Sequence, residues 1–203
     1  MNRRDLIFLI LKSFLAWMVL SGLVWYVGEW FIKALFPLLK AIMTVMTPEL
    51  APGMKLVKPV QSQWDYTIEL SAWVLRPIYL NAGQYIPPGT ELKSSAHLLH
   101  VLVPLVIEIS ILLVWPVQYW SQRILLIGLS LPAAVLVVMA VLPAQLLGNL
   151  ELSFQDVALT GKNSRSIPWF VDWMMFCELG GRWLLGILAA CLCILLQRKL
   201  SRG

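Results

Sequence analysis

Glu178 and Arg182 stand four residues apart in an apolar run, a spacing that brings an acid and a base together across one helical turn. The two read either as a local ion pair, with Gly180-Gly181 admitting a neighbouring helix, or as a grip for a polar group of a partner. Glu108 is alone at mid-depth in another apolar run. His97 precedes it by about three helical turns, which would put both on one face roughly 16 Å apart, with His100 about 60° off that line. The alternative is that His97 and His100 are headgroup-region residues and Glu108 pairs inside a helix bundle, with Arg182 a candidate partner. An ionisable group within hydrocarbon costs about 2.5–3.5 kcal/mol on insertion scales, so each of these side chains is a candidate functional group.

A membrane cysteine protease needs a cysteine, a base and usually an arginine. Cys177 with His97 or His100 would supply the types, but nothing in their spacing assembles such a site. Cys191 and Cys193 point to different sides of a helix, and no CxxC or Cys/His spacing suggests a metal or thiol exchange, so the cysteines read as packing residues. Asp172, between Trp169 and Trp173, suits a helix N-terminus at an aromatic interface belt. No catalytic, cofactor-binding or metal-ligating residue is expected. Contacts to a partner, or polar contacts within the membrane, are expected at Glu108, Glu178, Arg182, His97 and His100.

The elements that must hold these groups follow from composition. The chain has 203 residues, 59% hydrophobic and only 13% charged, with a mean hydropathy of +0.76. A soluble domain carries about a quarter charged residues, so these values imply an all-α integral membrane protein, a single polytopic domain over 1–203. Four spans are expected, at about 6–27, 95–115, 124–147 and 168–196, each near the length needed to cross a ~30 Å hydrocarbon core. Val27-Gly28-Glu29-Trp30 is unlike a signal-peptide cleavage site, so the first span reads as a retained anchor. Beyond it, Ile32, Leu35, Phe36, Leu39, Ile42, Met43 and Met46 follow one helix face, an outward amphipathic helix that either prolongs the first span or lies in the outer interface beside Trp25 and Trp30, with Pro37 allowing a kink between the two.

Residues 47–94 form the first outward loop. Trp64, Tyr66, Ile68 and Leu70 alternate with Asp65, Thr67, Glu69 and Ser71, as in a half-buried strand. The run Trp73 to Leu80 extends or pairs with it, while Asn81-Ala82-Gly83 and Pro87-Pro88-Gly89 are turns. Leu150, Leu152, Phe154, Val157 and Leu159 suggest a second outward, surface-hugging segment over 148–167. Pro168 opens the last span as a favoured first helical residue.

The net charge of +5 reads as topology, not as nucleic-acid binding. Arg3, Arg4, Lys12, Arg123, Arg198, Lys199 and Arg202 flank span ends on one side against Asp5 alone, which places both termini in the cytoplasm.

Four further runs carry a family resemblance. Tyr85-Ile86-Pro87-Pro88-Gly89-Thr90-Glu91-Leu92 is followed by Leu98-Leu99-His100-Val101-Leu102-Val103-Pro104-Leu105. After these come Arg123-Ile124-Leu125-Leu126-Ile127-Gly128-Leu129 and Leu142-Pro143-Ala144-Gln145-Leu146-Leu147-Gly148. Over residues 85–160 the chain resembles the exosortase H-associated membrane proteins. That resemblance implies an accessory of the inner membrane of a Gram-negative bacterium, partnered with an exosortase, an enzyme that processes proteins bearing a C-terminal sorting tail. It implies no cysteine–arginine–histidine site here, and Cys177-Glu178-Leu179-Gly180 departs from the exosortase pattern. The other function classes are a small transporter or channel subunit lined by the intramembrane polar groups, and a membrane sensor or exclusion protein using the outward loop.

Overall fold

The computed structural model describes residues 3–58, 66–80, 84–160 and 166–201. Helix α1 runs from Arg3 to Met46 and is continuous through Pro37. A sheet follows, built from β1 (Leu50–Val57), β2 (Thr67–Val74) and β5 (Glu91–His97), with a two-residue hairpin of β3 (Ile78–Tyr79) and β4 (Tyr85–Ile86) between them. The rest is helical: α2 (Leu98–Val114), α3 (Trp120–Thr160), α4 (Trp169–Phe176), a π-turn (Cys177–Gly181) and α5 (Arg182–Leu200). Trp64, Asp65 and Asn81-Ala82-Gly83 lie outside the described residues.

Among the described residues three helices are long and apolar enough to cross a membrane: Ile10–Met46, Trp120–Leu159 and Trp169–Leu200. The expected span at 95–115 is instead α2, a shorter apolar helix. Its first three residues go to β5, because Ser95, Ala96 and His97 pair with Glu69, Ile68 and Thr67 of β2. The surface segment expected at 148–167 is also corrected. Leu146, Leu150, Phe154 and Ala158 carry the buried stripe of α3 straight on, so the helix reaches Thr160. Pro168 caps α4 from just outside it rather than opening it.

The chain divides into two compact units. The first comprises Met1–Gly28, Leu102–Val138 and Gly180–Gly203. In it α2, α3 and α5 share a core of Leu112, Leu126, Ala190, Cys193 and Ile194, flanked by Trp115 and Leu129. The turn from α2 into α3 is held by Arg123. Its guanidinium donates to the carbonyls of Leu112 (2.7 Å), Leu113 (2.9 Å) and Trp115 (2.9 Å), satisfying groups that a helix C-terminus otherwise leaves unpaired. The Arg198 guanidinium lies 5.6 Å from the Trp115 ring centroid. From Ile7 to Val27, by contrast, no described side chain of α1 is buried.

The second unit comprises Glu29–Val101 and Met139–Leu179. Its sheet is antiparallel in the order β1-β2-β5, with Lys55 opposite Glu69 and Thr67 opposite His97. Ile68, Leu70, Ala72 and Val74 turn to the core, as their alternation with polar neighbours requires. Lys55 and Glu69 form a cross-strand ion pair at 3.1 Å on the other face. Gly89, at φ 82°, makes the turn into β5, and the Thr90 hydroxyl donates to the Pro87 carbonyl at 2.8 Å. The amphipathic stripe of α1 is buried here at Ile32, Leu39 and Met43. On α3 and α4, Gly148 backs onto Met174, and the Trp173 indole donates to the Ala140 carbonyl at 2.8 Å.

Candidate functional site

Glu108 sits on α2 with no exposed surface. The Cys193 thiol of α5 approaches its Oε1 at 4.0 Å and the Leu129 carbonyl of α3 at 3.6 Å. The other oxygen, Oε2, is buried with no hydrogen-bond partner among the described residues. A weak sulfur donor is thus the contact found for this buried carboxyl, whose desolvation is normally offset by stronger hydrogen bonds.

His97 is not on the helix with Glu108. It is the last residue of β5, and α2 starts at Leu98, so the shared helix face expected for the two does not exist. The structure brings His97 to His100 instead. Their ring centroids are 5.6 Å apart with the planes at 67°, and both side chains are exposed.

Glu178 and Arg182 are not separated by one regular α-helical turn. The intervening backbone is a π-turn in which Gly180 adopts φ 114°, a conformation that favours glycine. Glu178 is exposed and accepts a hydrogen bond from Gln145 Nε2 of α3 at 2.9 Å, while Arg182 is buried. The Gln145 Oε1 is buried without a hydrogen-bond partner among the described residues. Gln145 was missed in the sequence, although an amide in an apolar helix is itself a signal for a polar contact. The partnership of Glu108 with Cys193 spans 85 residues and leaves no local trace.

Tyr66 and Glu29 form a further polar contact that spacing does not foretell. The Tyr66 hydroxyl donates to the Glu29 carboxylate, which also receives Lys33 Nζ at 2.6 Å. The hydrogen bond to the carboxylate, and then its charge, hold the Tyr66 phenol above the ordinary tyrosine value.

Cys177 is buried, which withdraws its thiol from solvent. No group of three or more His, Cys, Asp or Glu side chains among the described residues is placed to hold a metal ion. The cavities of the second unit include two lined by described residues. One, of about 310 Å³, is lined by Val57, Thr67, Glu69, Lys93, Ser94 and Ser95. The other, of about 400 Å³, is an apolar groove with Met46, Met139, Pro143, Trp169 and Trp173 in its wall. Comparison with protein-family models, with curated proteins and with solved structures finds no match to this chain.

Proposed function

We propose that this chain is a non-enzymatic accessory protein of a bacterial inner membrane that associates with a membrane-embedded protein-sorting enzyme of the exosortase type. In this reading α2 is a short fourth crossing. Its 17 residues rise about 25 Å, close to the hydrocarbon thickness. Both termini then lie on the cytoplasmic side, where the basic residues flanking the spans belong.

The observation that carries the association is the exposure of the first half of α1. Phe8, Leu11, Phe14, Leu15, Val19 and Leu23 are each more than half exposed, while the same unit packs α2, α3 and α5 around a closed core. An apolar helix with so little burial in its own chain has its surface available to a second membrane protein, and helix association in lipid proceeds through such packing. The exosortase identity of that protein rests on the sequence resemblance over residues 85–160.

Photocrosslinking tests it. A photoreactive residue at Val19, activated in native membranes, should give one discrete protein adduct, identified by mass spectrometry as a sorting enzyme. Adducts with lipid alone would overturn the association, and a discrete adduct with another protein would overturn the exosortase assignment.

A further inference from the structure

We propose that His97 and His100 form a two-imidazole binding site for a divalent transition cation of the zinc and copper class, at the junction of β5 and α2. Imidazole nitrogen is the commonest protein ligand for these ions. The separation of the two rings is near that of a chelate. With a metal–nitrogen distance of about 2.1 Å and a tetrahedral angle at the metal, two imidazole centroids sit roughly 5 Å apart. The observed separation is 5.6 Å, with the planes at 67° in an edge-to-face contact, so sharing one ion needs only rotation of the rings about their side-chain bonds.

The junction that carries the two rings is held from several directions. His97 is fixed in register opposite Thr67. The Leu98 amide donates to the Tyr66 carbonyl at 2.9 Å, so the strand-to-helix step is tied to the chain entering β2. On the other side of β5, Asn149 Nδ2 of α3 donates to the Ser95 carbonyl at 3.3 Å. Both imidazoles are exposed to solvent. Two protein ligands, one fewer than a catalytic zinc site supplies, leave the remaining coordination positions to water or to an incoming donor, so the ion would be exchangeable. Binding would clamp the last residue of the sheet to the first turn of α2.

The test uses the full chain in lipid nanodiscs, carrying a histidine-free affinity tag and Cys191→Ser to remove an exposed thiol. Titration calorimetry with zinc chloride should show one ion per chain, and His97→Gln or His100→Gln should each weaken binding at least tenfold. Copper(II) bound to the unaltered histidines should show superhyperfine splitting from two imidazole nitrogens in electron paramagnetic resonance, a readout that needs no histidine variant. Absence of zinc binding, unchanged affinity in both glutamine variants, or a copper spectrum with fewer than two imidazole nitrogens would each overturn the site.

Discussion

Gly186 of α5 lies directly over Pro104 of α2, so close that a Cβ at Gly186 would meet the Pro104 carbonyl oxygen at 2.5 Å and its Cα at 3.0 Å. The obstacle is backbone, which cannot swing aside as a side-chain tip can. Gly186→Ala should therefore lower stability by about 1–3 kcal/mol, read as a lower midpoint of thermal unfolding in detergent micelles. An unchanged midpoint would show that the two helices separate freely at this point.

Gly148 offers the contrast. A Cβ there would meet Met174 Sδ at 2.5 Å, an atom near the end of a flexible chain, and Met174 Cβ at 3.1 Å. Gly148→Ala should cost less than Gly186→Ala, about 1 kcal/mol, because the thioether can repack. Measuring both variants under one protocol makes the ranking the test.

Arg123 satisfies three carbonyls at the end of α2 with one guanidinium. Arg123→Ala should destabilise the protein by about 2–3 kcal/mol, the scale of charge-assisted hydrogen bonds. Arg123→Lys should recover only part of this, since an ammonium lacks the planar fork that reaches Leu112 and Trp115 together. Full recovery by lysine would reduce the role of Arg123 to its charge.

The buried Oε2 of Glu108 invites the opposite kind of change. Replacing an unsatisfied buried polar group with an apolar one of similar shape is close to neutral or stabilising. Glu108→Met should thus unfold no earlier than the parent. If it also abolishes the α1 crosslink in native membranes, the carboxyl serves the association rather than the fold. A large loss of stability would mean that the Cys193 contact outweighs the orphaned oxygen.

Tyr66 supplies a pH dependence. Its phenol ionises above the ordinary tyrosine value because the protonated form donates to Glu29. The contact is therefore fully present below the ordinary value and is lost as pH rises through the raised one. Difference absorbance at 295 nm between the parent and Tyr66→Phe should place the Tyr66 midpoint above that in Glu29→Gln. Coincident midpoints would contradict the hydrogen bond.

The parts of the fold that were legible in the sequence are those written in local periodicity. The stripe through Ile32, Leu39 and Met43 is buried as a helix face, and Ile68 and Leu70 turn inward as strand alternation demands. Pro87 to Gly89 forms its turn. Illegible were features decided by distant neighbours. Ser95 to His97 look like the start of an apolar span, yet β2 claims them as a strand, and this breaks the helical relation between His97 and Glu108. The π-turn at Gly180 displaces a four-residue spacing that reads as an ordinary helix. Glu108 was recognisable as an ionisable group inside an apolar run, but its neighbour Cys193 was not, because only the packing of α2 against α5 joins them.

The order β1-β2-β5 has a consequence for how the chain assembles. All three strands lie between Leu50 and His97, and each pairs antiparallel with a partner already made or next to be made. Such pairing closes short loops, which favours fast formation. The sheet's register can therefore be set while synthesis is still in progress, before α3, α4 and α5 exist.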